Sequence, residues 1–213
     1  MIYYQDKYCY YFRKPAGIPS SFWKEKSFLD ILLEEKANTI VQSLFAFFWK
    51  EKELWLLNRL DNETTWLLYF AKNPRVYKQF KEMQSAFLIH KYYIAEVYGD
   101  VAPLIKSRQQ EITFPIAHHR YNPDRMVVVE NSNDINKTKW THHYLTTTIV
   151  EFQFFPTSNT SILLICIQKG IRHQIRAHLA SVGYPICWDF LYSKSKHTWY
   201  QYLQLYSIGL KTD

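Results

Sequence analysis

The stretch Leu56–Ala71, LLNRLDNETTWLLYFA, constrains this chain more than any other. Leu56 and Leu57 lead in, and Leu67, Leu68, Tyr69 and Phe70 lead out. Two segments that want burial therefore hold a polar turn, Asp61 to Thr65, between them. Hydrophobic residues make up 47% of the 213, enough to bury both flanks in a sizeable core. At the mouth of the turn, Arg59 sets a guanidinium beside the carboxylate of Asp61. A carboxylate fixed in this way can act as nucleophile or as base. The plainer reading of the same pattern is a hairpin with an exposed Arg/Asp pair.

Tyr8 to Phe12 reads as an aromatic strand, followed by a non-helical loop, Lys14-Pro15-Ala16-Gly17-Ile18-Pro19. Ser27 is placed to cap a helix over Phe28–Lys36, with Leu29, Leu32 and Leu33 on one face. Residues 50–53 read as a charged turn. Pro74 suits the first turn of a second helix ending near Phe87. In the strand His90–Gly99, Tyr93, Ala95 and Val97 share one face, and Tyr92, Ile94, Glu96 and Tyr98 the other. Residues 100–124 read as an irregular surface excursion carrying Lys106, Arg108, His118, His119 and Arg120, and 131–143 as a further loop. Leu145–Phe155 and Ser161–Gln168 form a hairpin whose second strand, SILLICIQ, is apolar enough to be central. Gly170 opens a helix over Arg172–Val182 that Gly183 ends, with Arg172 and Arg176 on a shared face. Tyr202–Ile208 is the last strand. With no repeat and no linker, residues 1–213 read as one α+β domain on a largely antiparallel sheet.

A net charge of +7 and 18% aromatic residues point to a polyanion such as RNA, whose splayed bases can stack on aromatic rings. An acidic membrane surface and a merely basic soluble protein are the competing readings. Cys9, Cys166 and Cys187 are odd in number and lack metal spacing, and nothing in their pattern suggests a disulfide scaffold or secretion. No apolar run approaches the roughly 20 residues of a transmembrane helix, and no signal peptide is visible. A cytoplasmic monomer with no membrane partner is expected.

Taken together, NRLDNETT with its apolar run, HKYYIAEVYG, and GIRHQIRAHLASVGYPI resemble the pseudouridine synthases of the RluA type. KPAGIP and the segment Trp188-Asp189-Phe190-Leu191-Tyr192 match as well, so the resemblance runs in order from about Tyr8 to Leu210. It implies an enzyme that isomerises uridines of ribosomal or transfer RNA. Asp61 matches the catalytic aspartate, Tyr93 the active-site tyrosine, and Arg176 the basic residue thought to pair with the aspartate. Arg59, Arg172, His173 and Gln174 fall at positions that hold the RNA or support the motif around Arg176. Moving a base from its N1 to its C5 linkage is neither a redox nor a group-transfer step, so neither cofactor nor metal is implied. The small basic RNA-binding module that precedes KPAG-type residues in many relatives is not expected here, with about a dozen residues before that motif. Asn58 stands where many relatives have histidine, and Ile171 where an arginine is common.

Glycine is scarce and tryptophan abundant. The chain has 5 Gly, against roughly 15 at an average usage near 7%. Its 7 Trp are Trp23, Trp49, Trp55, Trp66, Trp140, Trp188 and Trp199. Trp66 and Trp188 stand at family glycines, and Trp55 where relatives often have one. Two explanations are open. One is a homologue that binds RNA but has lost catalysis; the other is a UGA codon read as glycine in the source cell and written here as tryptophan. A generic basic nucleic-acid binder is a third reading.

Overall fold

The computed structural model describes residues 3–21, 26–34, 55–107, 109–139, 143–193 and 202–212. The expected turn at 50–53, together with Arg108, Trp23, Trp49, Trp140 and Trp199, lies outside the described residues. The chain groups into two compact units, Met1–Leu88 with Tyr206–Gly209, and Ile89–Leu205 with Leu210–Asp213.

In the first unit, β1 (Tyr3–Gln5) pairs antiparallel with β2 (Cys9–Lys14), and β2 with β3 (Thr65–Ala71). The segment Tyr206–Gly209 of β10 (Leu205–Thr212) joins this unit, with Tyr206 opposite Thr65 and Ser207 opposite Trp66 in a parallel ladder. Phe12, Leu68, Phe70 and Ala71 are buried on these strands, with Phe28, Leu29 and Leu32 of α1 (Phe28–Glu34) also in the core. Ser27 caps α1 as its sequence suggests. Its Oγ accepts from the Asp30 amide at 3.2 Å, and the Asp30 carboxylate accepts from the Ser27 amide at 2.8 Å. Asn73 caps α2 (Pro74–Ser85) through the Val76 amide, and Pro74 sits in the first turn.

β2 differs from expectation at its end. It runs through Lys14, which pairs with Trp66, so the loop begins at Pro15. The alternation that buries Phe12 also turns Lys14 inward.

The second unit is built on β4 (Ile89–Tyr98), β9 (Thr160–Ile167), β8 (Thr147–Phe155) and β5 (Glu111–Ile112), each antiparallel to the next. The β8–β9 hairpin is as expected, and β9 is central. β4 alternates strictly between buried and half-buried residues, with Tyr93, Ala95 and Val97 inward. The excursion after Gly99 is more ordered than its composition suggests. The Asp100 carboxylate accepts from the Ala102 amide at 2.9 Å, and Pro103 follows, which starts α3 (Ala102–Lys106). β6 (Ile116–His118) and β7 (Met126–Val128) then form a two-stranded sheet, and Asn131 caps a short α4 (Ser132–Ile135). The last helix, α5 (Gln174–Ser181), starts later than its sequence suggests. His173 adopts the left-handed conformation at φ 54°, which stops helical geometry from reaching back to Arg172. Arg172 and Arg176 therefore do not share a helical face. β10 also starts later than Tyr202, because Leu205 is its first residue.

The fold class is α+β with a mixed, mainly antiparallel sheet, in which β3 and β10 pair in parallel. No helix among the described residues is long and apolar enough to cross a membrane.

Candidate active site

In the first unit Asp61 sits on a loop whose backbone is gripped on both sides. On one side Ser20 is buried, its hydroxyl donating to the Leu60 carbonyl at 2.8 Å and accepting from the Leu60 amide at 2.9 Å. On the other, the Lys14 ammonium donates to the carbonyls of Asn62, Pro15 and Ile18 at 2.8–2.9 Å. Three carbonyls match the three donors of an ammonium, which is how a fully buried lysine is tolerated. Burial pulls the Lys14 pKa down to about 8, against the charges of Glu63 and Asp61, which hold it up. The KPAGIPS segment thus acts as a clamp on the backbone of Leu60 and Asn62, the residues on either side of Asp61.

Asn58 supplies a second brace. Its side chain accepts from the Tyr69 amide at 2.8 Å and donates to the Leu67 carbonyl at 3.2 Å. It thereby ties the loop's entry to β3, while Leu57 and Trp55 continue the pairing through Tyr69 and Ala71. The turn closes with the Thr64 amide donating to the Asp61 carbonyl. Asp61 is half-buried and Arg59 exposed. The loop so presents a half-buried carboxylate on a held backbone, with an exposed arginine two residues earlier.

The second unit holds the other expected residues. Tyr93 is buried on β4. Arg176 on α5 is buried, and its Nε and Nη2 donate to the two carboxylate oxygens of Asp189, each at 2.8 Å. Asp189 is itself 1% exposed and accepts from the amides of Leu191 and Tyr192 at 3.1 Å. This bidentate pair fixes the guanidinium plane. The Arg176 guanidinium also lies 5.4 Å from the centre of the Tyr192 ring, with that of Arg125 at 5.2 Å. The Tyr192 hydroxyl hydrogen-bonds His173 Nδ1 at 3.1 Å and accepts from the Met126 amide at 2.8 Å. His173, Arg176, Asp189 and Tyr192 thus form one network.

Gln174 and His178 anchor α5 to β8. The Gln174 amide donates to the Thr146 carbonyl at 2.9 Å. His178 Nε2 donates to the Phe114 carbonyl at 2.8 Å, which leaves Nδ1 to accept from the Thr147 hydroxyl at 2.8 Å. Gln174, 2% exposed, therefore braces the helix from within. Arg172 is exposed. It donates to the Pro123 and Asp124 carbonyls, and it lies 3.7 Å from the solvated Asp124 carboxylate.

Sequence reasoning assigned no role to Lys14, Ser20, Asn58, Asp189 or Tyr192. Lys14 was detectable, because it continues the inward alternation of Phe12. The partner of Asp189 was not, because Arg176 lies 13 residues away with the 183–187 turn between.

The buried histidines give a pH dependence. Burial, then the charges of Arg176 and Arg172, push the His173 pKa down to about 3, with Asp189 and Asp124 opposing. Burial lowers His178 as well. An unfolded histidine takes up its proton near pH 6.5, where native His173 stays neutral. The stability this neutral group contributes is full above pH 6.5 and is lost as the pH falls towards 3. His173→Asn, which tolerates the left-handed backbone, should make the fall of melting temperature between those values shallower. Melting curves of equal slope in both proteins would rule out His173 as a source of acid lability.

Comparison with known proteins agrees with this architecture. A family model described as RNA pseudouridylate synthase matches residues 8–181. The chain is 28% identical over 141 residues to ribosomal large subunit pseudouridine synthase D of Nitrosomonas europaea, covering 66% of this chain and 36% of that protein. It is 28% identical over 203 residues to the large subunit synthase C of Buchnera aphidicola, covering 91% and 54%. The chain spans between about a third and three fifths of the length of such relatives. Its fold is similar to human RNA Pseudouridylate Synthase Domain Containing 1, with a TM-score of 0.71 at 16% identity, covering all of this chain and 78% of that one. Matched over residues 8–181 of its 213, the chain belongs to the RNA pseudouridylate synthase family.

Proposed function

We propose that residues 1–213 act as one catalytic domain that isomerises specific uridines in RNA to pseudouridine, with Asp61 as the reactive carboxylate. The observation that carries this reading is the double grip on the Asp61 loop, through Ser20 on Leu60 and Lys14 on Asn62. Such preorganisation is what a group held for attack needs. Ribosomal RNA is the favoured substrate and transfer RNA the alternative. The Nitrosomonas and Buchnera relatives are named for the large ribosomal subunit, and a Vibrio relative is named a dual-specificity enzyme.

The reaction breaks the bond from C1′ to N1, turns the uracil, and joins C5 to C1′. The target must leave its stack for this to happen. Asp61 attacks the nucleotide or removes a ribose proton. Tyr93 stacks on the detached base and helps deprotonation at C5. Arg176, held by Asp189 and Tyr192, orients charge in the site. The exchange is redox-neutral and complete within substrate and protein, so the reading includes no cofactor and no metal. A cytoplasmic monomer fits it.

RNA is gripped by exposed cations. His118 is exposed, and its pKa is lowered by desolvation and by Arg172, His143 and Lys139, which marks a cationic neighbourhood. Tyr121 and Tyr144, both more than three-quarters exposed, add stacking surface on the same unit. Binding should weaken steeply with salt. Arg172→Ala should flatten the plot of log affinity against log salt by about one unit, and an unchanged slope would put Arg172 off the RNA path.

The direct test is incubation with unmodified large-subunit ribosomal RNA and with transfer RNA, followed by pseudouridine mapping. Conversion at discrete uridines of one substrate is expected. RNA binding without conversion would favour a second reading, a catalytically impaired RNA-binding homologue, which the large side chains at Trp66 and Trp188 favour specifically.

A further inference from the structure

All three tryptophans among the described residues stand in left-handed backbone: Trp55 at φ 60°, Trp66 at φ 79° and Trp188 at φ 62°. Glycine reaches this region freely. For a bulky residue it is a genuine outlier, because Cβ crowds the following carbonyl. The three other non-glycine residues with positive φ include Asn159 and His173, of types that visit the region several-fold more than most. Phe87, at the end of α2, is the sole other bulky case among them. The chain's own glycines set the comparison, with Gly17 at φ 76°, Gly99 at 91° and Gly183 at 90°.

The side chains carry a second sign. The Trp188 indole N–H is buried with no acceptor among the described residues, an uncompensated cost. Trp66 is 39% exposed although it sits within β3, between Lys14 on one side and Ser207 on the other. Its indole meets the half-buried Tyr206 ring edge-on at 5.5 Å and the exposed Arg13 guanidinium at 5.7 Å, contacts of a surface and not of a core. Meanwhile the chain holds 5 Gly and 7 Trp, the reverse of ordinary usage.

We propose that positions 55, 66 and 188 are glycine in the protein made by its own cell, their codons being UGA decoded as glycine and rendered as tryptophan in the written sequence. UGA differs from the tryptophan codon UGG in one base, so a reading of UGA as tryptophan yields the chain as written. Trp23, Trp49, Trp140 and Trp199, outside the described residues, fall under the same codon test. The consequence for the site is direct. Glycine at 66 removes an indole five residues after Asp61 in the same unit, and glycine at 188 removes one beside the Asp189 that fixes Arg176. The inference rests on backbone conformation and not on the proposed activity.

The test separates bulk from backbone. The chain with Gly at 55, 66 and 188 is compared with the written chain and with Ala at the same three positions. Alanine removes the indoles but keeps Cβ, so it keeps the strain. The glycine variant should melt several degrees above both others. A glycine variant melting below the written chain, or no higher than the alanine variant, overturns the proposal. Codons and mass give an independent check that needs no folding. UGA codons with peptides of glycine mass at these positions, from the protein's own cells, are expected; UGG codons or tryptophan-bearing peptides overturn it. None of these readouts depends on turnover, so an inactive protein would leave this result standing and count against the proposed function alone.

Discussion

Replacing Asp189 with alanine should destabilise the second unit more than any other single change at the site. Arg176 is 5% exposed, and Asp189 accepts from its Nε and Nη2. Removing the carboxylate leaves a buried guanidinium without that counter-charge, a loss of about 3–5 kcal/mol. For a chain of this size each kcal/mol moves the melting temperature by about 2–4 °C, so a fall of roughly 6–20 °C is expected. The amides of Leu191 and Tyr192 lose an acceptor as well. The cause can be isolated. Replacing both partners by apolar residues, Asp189→Leu with Arg176→Met, should recover much of the stability, because no charge is then buried alone. The same double variant should not recover pseudouridine formation. A melting temperature for Asp189→Ala within about 2 °C of the parent would show that the pair contributes little.

What the sequence disclosed follows a physical division. Elements specified by local periodicity and capping were legible: β4 by its two-residue alternation, α1 by Ser27, α2 by Pro74. The central place of β9 followed from its apolar character on both faces. The stretch 100–124 reads as loop because its strands are only two or three residues long and its helix is one turn set by Asp100. Such pieces carry no periodic signal. The start of α5 differs from its sequence pattern because a histidine, not a glycine, takes the left-handed turn before it. Asp61 and Arg176 were visible as motifs. Their supports were not, since Lys14 to Asn62 and Ser20 to Leu60 are contacts between residues 48 and 40 apart. Excess tryptophan was visible in the composition, and only the backbone shows that Trp55 and Trp188 share the conformation of Trp66.

Asp61→Asn should carry the largest effect on activity. Aspartate and asparagine have nearly the same volume, and the loop is held through the backbone by Ser20 and Lys14. The fold should therefore survive, with a change of about 0.5 kcal/mol or less. RNA affinity should stay near that of the parent, because the proposed phosphate contacts come from cations elsewhere. The charge to which the proposed function gives the reaction is gone, whether it serves as nucleophile or as base. Loss of such a group costs roughly 10⁴-fold or more in turnover.

The most direct measurement is single-turnover conversion of a uridine in unmodified large-subunit ribosomal RNA. It compares the chain carrying glycine at 55, 66 and 188 and the chain as written, each with and without Asp61→Asn. Pseudouridine at a defined uridine from a chain with Asp61, and none above background from its Asp61→Asn counterpart, is the predicted result. Equal yields with and without Asp61, or no pseudouridine from folded chains that bind the RNA, would contradict it.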